Sequence, residues 1–304
     1  MAKVFVTRAL PGVALERMRR AHEVRVWDGP LPPEPAVLRE AMAEVEGLLC
    51  LLSDRVDAAL LDSAPRLRAI ANYAVGTDNI DLELTAARGI PVGVTPDVLT
   101  EATADLAFAL LLAAARRLPQ AAADARAGAW RTWEPAGWLG SEVDGATLGI
   151  VGFGRIGRAV ARRAQGFRMT VLSTAQTELG ELLAVSDYVS LHVPLTARTR
   201  HLIDAAALRQ MRPTAILVNT SRGAVIDQAA LIRALRSAEI AAAAIDVTDP
   251  EPPPPGDPIF ETPNLLVVPH IGSATQAARA RMTELAVENL LAGLAGRPMP
   301  HPAG

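Results

Sequence analysis

The chain has 304 residues, half of them hydrophobic, and a net charge of -3 with both signs mixed along the sequence. We find no basic block, which argues against a nucleic-acid partner. No apolar run reaches the ~18–20 residues that a membrane span needs, and the N-terminus resembles a first strand rather than a signal peptide. The single cysteine, Cys50, cannot form an internal disulfide. We therefore expect a cytoplasmic protein of two domains with no membrane partner.

Short apolar runs alternate with helical stretches over most of the chain, a pattern typical of parallel sheets with crossover helices. The first part contains five predicted strands, at residues 3–7, 23–27, 47–52, 67–72 and 91–95. A long Ala/Leu-rich helix follows, from about Glu101 to Arg117, with Thr100 as a candidate N-cap.

The second part contains six predicted strands, at residues 147–151, 169–173, 188–193, 215–219, 240–247 and 265–268. A final helix, from about residue 274 to 294, follows them, and we expect it to return to the first domain. The sequence therefore predicts an α/β protein of two doubly wound parallel-sheet domains, one flavodoxin-like and one Rossmann-type.

A glycine-rich turn, Gly152-Phe153-Gly154-Arg155-Ile156-Gly157, connects the predicted strand 147–151 to a helix. Its glycines suit a tight turn, a close approach of backbone to pyrophosphate, and close packing of helix on strand. The unpaired amides at the helix start favour an anion. An isolated motif of this kind is weak evidence, but the strand, the turn and the helix together predict a dinucleotide site.

Three residues with acid–base or ionic chemistry follow predicted strand ends: Arg222, Glu251 and His270. The carboxyl ends of parallel strands are where ligands bind. Arginine offers a permanently charged fork to a carboxylate or carbonyl, and histidine transfers protons near neutral pH. A neighbouring carboxylate favours the protonated imidazole. Taken singly, each has a plainer explanation: a surface ion pair, a solvated loop charge or a structural histidine.

These motifs together resemble the D-isomer-specific 2-hydroxyacid dehydrogenase family over nearly the whole chain. The similar segments, in order, are residues 72–81, 98–105, 152–157, 192–196, 219–223, 246–252 and 269–273. The resemblance implies that His270 is the acid/base, Glu251 its partner and Arg222 the cation that orients the substrate. It also implies a substrate carboxylate held by the amides around Val75 and Gly76.

The same resemblance implies domain boundaries and a set of cofactor contacts. The substrate domain would comprise residues 1–98 and about 284–304, and the dinucleotide-binding domain residues 99–283. Asp246 would contact the nicotinamide carboxamide, and Thr103 the cofactor phosphates. The full expected cofactor set is Thr103, Gly152, Gly154, Arg155, Ile156, Gly157, Gln176, Thr177, Pro194, Thr220, Ser221, Asp246 and Gly272. The histidines show no metal-ligand spacing, and no metal site is expected.

Within the family, residues 72–81 are most similar to the glyoxylate/hydroxypyruvate reductase branch. Phosphonate-oxidising relatives have lysine where this chain has Val75, and phosphoglycerate dehydrogenases typically have arginine near Asn72. The expected activity is NAD(P)H-dependent reduction of a small 2-oxo acid. The alternatives are another D-2-hydroxyacid dehydrogenase, of D-lactate or phosphoglycerate type, and a dinucleotide-sensing binding protein without catalysis.

Trp138 and the stretch after residue 173 leave alternatives open. In this branch a loop like that around Trp138 can form a substrate-pocket wall in the neighbouring subunit of a homodimer; an aromatic anchor of the dimer interface is the alternative. After the strand 169–173, the family usually carries an acid for the adenine ribose, or Ser/Arg-Thr for a 2′-phosphate. This chain has Thr174-Ala175-Gln176-Thr177 and a segment shortened by about ten residues. Either NAD or NADP fits, and branch resemblance favours NADPH.

Overall fold

The computed structural model describes residues 1–303, which divide into two compact units. The first comprises Met1–Leu99 and the chain from Ala274 onward, and the second is Thr100–Ser273. The sequence placed the second boundary near residue 283, about ten residues later. The difference arises because the final helix contacts the first unit from its beginning: Thr283 Oγ1 donates to Pro11 O, and Ala280 lies against Gly12.

The first unit is a five-stranded parallel sheet in the order β2-β1-β3-β4-β5, which is the flavodoxin-like order. All five strands occur where the sequence predicts them, and the fifth is shorter than expected. Numbered along the whole chain, its strands are β1 Lys3–Val6, β2 Glu23–Val26, β3 Gly47–Cys50, β4 Ala69–Asn72 and β5 Val92–Gly93. Its helices are α1 Ala14–Ala21, α2 Pro35–Ala41, α3 Ala58–Asp62, α4 Leu82–Ala87 and α11 Gln276–Leu294.

Both faces of this sheet are covered by helices, which explains why its strands are continuous apolar runs rather than alternating ones. On one face, residues such as Val4 and Leu49 pack against α1 and α11. On the other, Phe5 and Leu48 pack against α2 and α3. Burial on both faces leaves the carboxyl ends of the strands as the place where polar side chains collect.

The second unit is a six-stranded parallel sheet in the order β11-β10-β9-β8-β6-β7. Its strands are β6 Thr147–Val151, β7 Thr170–Ser173, β8 Tyr188–Leu191, β9 Ile216–Asn219, β10 Ala242–Ile245 and β11 Leu265–Val267. Its helices are α5 Thr100–Ala115, α6 Leu118–Arg126, α7 Arg155–Gln165, α8 Leu179–Val185, α9 Ala205–Gln210 and α10 Gln228–Arg236, with short 3-10 helices at Gly223–Val225 and Pro258–Glu261.

This sheet differs from the usual dinucleotide-binding order at both edges, and at one of them β11 adds a strand beyond the sixth. In the order 3-2-1-4-5-6, a further strand lies outside the second strand. Here β7 occupies the sheet edge, and the chain returns from β7 to β8 through the seven-residue helix α8 alone. The segment that the sequence identified as shortened therefore corresponds to a strand that the described residues do not contain.

The long helix α5 begins at Thr100 itself and ends at Ala115, so the predicted N-cap is the first helical residue. Its buried side chains, including Phe108 and Leu111, share one core with β6 and α7. No single helix in residues 1–303 is long and apolar enough to cross a membrane; α5 and α6 pass that test only as a pair bent by 63°.

Candidate active site

The glycine-rich turn connects β6 to α7, and its three glycines face different surroundings. Gly152 has φ +94, and a Cβ there would lie 2.6 Å from the carbonyl of His192. A Cβ on Gly157 would lie 2.2 Å from Gly152 O, so this glycine lets helix and strand approach. A Cβ on Gly154 would meet no atom of the described residues within 4 Å. The chain thus keeps a bare backbone at Gly154, as close approach of a pyrophosphate requires.

The start of α7 suits an anion. Gly154 is the N-cap residue and supplies no side-chain hydrogen bond to the first helical turn, where Arg155 and Ile156 are the first residues. Unpaired amides and the helix dipole together favour negative charge at such a position.

Three buried side-chain atoms that have no hydrogen-bond partner within residues 1–303 lie at or just past the ends of β7, β8 and β9. They are Ser173 Oγ, His192 Nδ1 and Thr220 Oγ1. Buried polar atoms are normally paired, and unpaired ones ask for an explanation. Since β7 and β8 flank β6 and its glycine turn, and β9 lies next to β8, these polar atoms fit a dinucleotide placed along this edge of the sheet. Burial lowers the pKa of His192 to about 4, so its ring is neutral near pH 7.

The turn after β7 is tied to the glycine loop. Thr174 Oγ1 accepts a hydrogen bond of 3.0 Å from the main-chain N–H of Gly152. The amides of Gln176 and Thr177 both donate to Ser173 O, and the Gln176 side chain is exposed. Residues 174–177 offer neither a carboxylate nor an arginine to the adenine-ribose position. Sequence reasoning missed Thr174; its position directly after a strand was the available signal.

The remaining predicted cofactor residues lie along the same unit. Thr103 is buried in α5, and a Cβ on Gly272 would approach its side chain to 3.4 Å. Pro194 follows β8, and its carbonyl accepts from Thr199 Oγ1 at 2.6 Å. Ser221 donates to Asn219 Oδ1 through both its amide and its hydroxyl.

His270 and Glu251 form a direct pair. Nδ1 of His270 lies 2.5 Å from Oε1 of Glu251, and both side chains are partly exposed, at 25% and 32%. The second carboxylate oxygen of Glu251 accepts from the amide of Thr248 at 3.3 Å. With Nδ1 engaged by the carboxylate, the other ring nitrogen of His270 is the one available for proton transfer.

Asp246 fixes the turn that carries His270. Its two carboxylate oxygens accept from the amides of Ile271 at 2.6 Å and Gly272 at 2.7 Å, and its carbonyl accepts from His270 N at 2.9 Å. His270 itself has φ +52, a left-handed conformation that non-glycine residues seldom adopt. Burial raises the pKa of the Asp246 carboxyl, opposed by the two amides and by His270.

Arg222 lies on the adjacent loop, after β9. Asn219 Nδ2 donates to Arg222 O at 2.9 Å, and the guanidinium donates to Ser221 O at 2.8 Å. A Cβ on Gly223 would lie 1.9 Å from Thr248 O, so the Arg222 loop abuts the backbone of the loop that carries Glu251. Asn219 was not among the predicted site residues; a fully buried asparagine ending an apolar strand was the signal for it.

The three predicted catalytic residues therefore follow three neighbouring strands, β9, β10 and β11, of one sheet. Glu251 and His270 are in contact, and the Arg222 loop packs on the main chain three residues before Glu251. This arrangement can polarise a carbonyl with a guanidinium and deliver a proton from a carboxylate-paired imidazole.

Val75 and Gly76 lie in the first unit, just past β4. No acceptor among the described residues receives a hydrogen bond from the N–H of either residue. Consecutive free amides of this kind form an anion-binding concavity. The structure thus leaves them able to bind a carboxylate.

Trp138 lies in the segment between α6 and β6, with φ +51. Its indole N–H donates to Asp124 Oδ2, on α6, at 2.7 Å. Neighbouring Trp130 and Trp133 are 67% and 81% exposed, and α6 has no buried residue. Within the chain, Trp138 packs on α6.

Comparison with known proteins identifies this arrangement. Residues 108–272 match the model of the D-isomer specific 2-hydroxyacid dehydrogenase NAD binding domain. A glyoxylate reductase of Thermococcus litoralis is 47% identical over 98% of this chain and 96% of its own length. The chain belongs to the D-isomer-specific 2-hydroxyacid dehydrogenases. It is an NAD(P)-dependent oxidoreductase, and its unit with the glycine turn is the family's cofactor-binding domain.

Solved structures of similar proteins agree in fold. The TT0316 protein of Thermus thermophilus is 49% identical with a TM-score of 0.94, covering 99% of this chain and all of that chain. An NADPH-dependent glyoxylate/hydroxypyruvate reductase of Sinorhizobium meliloti, solved with NADP and malonate, is 33% identical with a TM-score of 0.88. That likeness covers 100% of this chain and 97% of the other.

Proposed function

We propose that this dehydrogenase reduces small 2-oxo acids, glyoxylate and hydroxypyruvate, to glycolate and D-glycerate. The observation that carries the proposal is the contact between His270 and Glu251 beside the Arg222 loop. The similarity to the glyoxylate reductase of Thermococcus litoralis and the glyoxylate/hydroxypyruvate reductase of Sinorhizobium meliloti supports the choice of substrate class.

The proposed chemistry assigns one task to each side chain. Bound reduced nicotinamide supplies the hydride to the carbonyl carbon. His270 donates the proton that the developing alkoxide takes up, and Glu251 orients the ring through its bond to Nδ1. Arg222 stabilises negative charge on the same oxygen. Asp246 holds the turn of His270 and is proposed to contact the nicotinamide carboxamide.

We assign recognition of the substrate carboxylate to the N–H groups of Val75 and Gly76. Two neighbouring amides without an internal acceptor bind an oxyanion with directional hydrogen bonds. The side chain at position 75 is an uncharged valine, so it supplies no ionic partner for the substrate. Recognition would then depend on the main-chain amides, which suits a small acid.

For the cofactor, we propose NADPH as the preferred form. The absence of a carboxylate in residues 174–177 removes the group that would repel a 2′-phosphate and bind the ribose hydroxyls. Thr174 directly follows β7, so replacing it with aspartate introduces a carboxylate at the adenine-ribose position. We expect the ratio of kcat/KM with NADPH to that with NADH to fall by about tenfold or more; an unchanged ratio contradicts this placement.

We also propose a homodimer, with residues 118–140 at the subunit contact. The support is the exposure of Trp130 and Trp133 together with a helix α6 in which no residue is fully buried. Trp138 is then either a pocket wall for the partner or an anchor of the interface. Light scattering of the wild type and of Trp133→Ser tests the contact.

A free, buried thiol at Cys50 agrees with a reducing, cytoplasmic location, which cell fractionation checks.

Initial rates on glyoxylate, hydroxypyruvate, pyruvate and phosphohydroxypyruvate, each with NADPH and NADH, test the proposed activity. We expect the first two substrates to give the highest kcat/KM. His270→Ala should reduce turnover by about 100-fold or more while NADPH binding is retained. Cofactor binding without turnover of any oxo acid by the wild type would instead favour a dinucleotide-sensing protein.

A further inference from the structure

A buried amide pair lies under the loop that carries Val75 and Gly76. Asn72, the last residue of β4, is fully buried, and its Nδ2 donates to Gly76 O at 2.9 Å and to Asn79 Oδ1 at 3.2 Å. Asn79 Nδ2 in turn lies 3.4 Å from Asn72 Oδ1. The two side chains therefore join the beginning and the end of the loop.

The same pair ties the loop to the neighbouring strand. Asn79 Nδ2 donates to Leu51 O and Asp54 O, each at 3.0 Å, in the segment that follows β3. Both hydrogens of the Asn72 amide have acceptors within the first unit. A satisfied buried network of this kind rigidifies the backbone around it.

The contact to Gly76 O matters because glycine has the greatest backbone freedom of any residue. Anchoring this carbonyl fixes the Gly76–Thr77 peptide plane at one end of the short segment. At the other end Ala74 O accepts from Thr95 N at 2.9 Å, which fixes the Ala74–Val75 peptide and with it the Val75 N–H. The Val75–Gly76 peptide, which carries the Gly76 N–H, lies between these two planes and has no acceptor of its own among the described residues. The Asn72 contact therefore limits the rotation that the glycine would otherwise allow next to the two amides.

We propose that Asn72, supported by Asn79, is a positioning residue that sets the affinity for the substrate carboxylate. This inference rests on the proposed function, since it assumes that the carboxylate of a small 2-oxo acid binds Val75 and Gly76. A preorganised pair of donors binds without the cost of ordering the loop, and a loose one does not.

The test compares Asn72→Ala with Asn289→Ala. Asn289 is an equally buried asparagine of the same unit; its Nδ2 donates to Val94 O and its Oδ1 accepts from His301 N, and neither bond involves residues 75–76. For Asn72→Ala we expect KM for glyoxylate and the inhibition constant of oxalate to rise about tenfold or more, with kcat at saturation and the Kd of NADPH changed less than about threefold. Asn289→Ala should lose thermal stability, while its KM for glyoxylate and its inhibition constant for oxalate stay unchanged.

Asn72→Asp keeps the side-chain volume but replaces the amide donor, and it provides the same test if the alanine variant does not fold. For Asn79→Ala we expect a smaller rise in KM for glyoxylate and in the inhibition constant of oxalate. Unchanged KM and oxalate affinity in the folded Asn72 variants would overturn the inference, as would an equal rise in Asn289→Ala. A wild type that neither reduces glyoxylate nor binds oxalate would reject the proposed function itself, which separates the two failures.

Discussion

Nδ1 of His270 and Oε1 of Glu251 lie 2.5 Å apart, although the two residues follow different strands and are separated by nineteen positions in the chain. The left-handed backbone at His270 turns its ring towards the loop after β10, where the Glu251 carboxylate is also bonded to Thr248 N. In the proposed mechanism this contact holds the ring in one orientation and leaves its second nitrogen for the reacting oxygen.

Replacing Glu251 with glutamine keeps a hydrogen-bond acceptor of the same size and removes the charge. We expect kcat for glyoxylate reduction to fall by about 10- to 100-fold, because a neutral amide forms a weaker hydrogen bond to the ring than a carboxylate does and orients it less firmly. The Kd of NADPH, measured by fluorescence titration, should not change. As a matched control, Glu261→Gln on the 3-10 helix after β10 should retain wild-type kcat; equal losses in both variants would contradict the role of Glu251.

Replacing Asp246 with alanine leaves the amides of Ile271 and Gly272 without their acceptors. Each unsatisfied buried group costs about 1–3 kcal/mol, so we expect a lower melting temperature as well as a loss of kcat/KM of about 100-fold or more as the turn of His270 loosens. Asp246→Asn retains one acceptor oxygen and should lie between wild type and alanine in both measurements. A melting temperature unaffected by Asp246→Ala would show that the turn does not depend on these bonds.

Two glycines of the turn, Gly157 and Gly154, should respond differently to alanine. At Gly157 the new Cβ meets the backbone oxygen of Gly152, so we expect a clear loss of stability and of cofactor binding. At Gly154 the Cβ meets nothing within the described chain, and φ is -75, so the apo protein should melt as the wild type does. Its Kd for NADPH should nevertheless rise by about tenfold or more, because the methyl group keeps pyrophosphate from the backbone. If Gly154→Ala binds NADPH with wild-type affinity, the glycine turn is not part of the binding site.

His192 predicts how stability depends on pH. Burial lowers its pKa to about 4 in the folded protein, from an ordinary value of 6.5. Between these values the unfolded chain binds a proton that the folded chain does not, so the free energy of unfolding falls as pH drops from 6.5 towards 4. We expect His192→Gln to reduce this loss by at most about 3 kcal/mol.

Urea denaturation of the protein at pH 7.5 and pH 4.5 measures the effect of His192, with the exposed His201→Gln as control. The control should follow the wild-type pH dependence. If the free energy of unfolding falls by the same amount between pH 7.5 and pH 4.5 in the wild type, His192→Gln and His201→Gln, burial of the His192 ring does not govern the acid sensitivity.

The apolar runs of the sequence determined the two parallel sheets, because strands buried on both faces must be apolar throughout. All eleven strands fall within or overlap the predicted ranges. The glycine spacing and the placement of Arg222, Glu251 and His270 after strand ends were likewise local signals. The comparisons confirm the family and the cofactor class that those signals indicated.

Other features depended on contacts between residues distant in the chain, which no local pattern encodes. Only the packing of α11 placed the unit boundary at residue 273 instead of about 283. Only the strand pairing showed β7 at the sheet edge, and only the hydrogen bonds joined Thr174 to Gly152 and Asn72 to Asn79. Propensity and periodicity describe how each segment folds by itself, whereas the orientation of a buried amide or carboxylate is set by whichever neighbours the completed fold supplies.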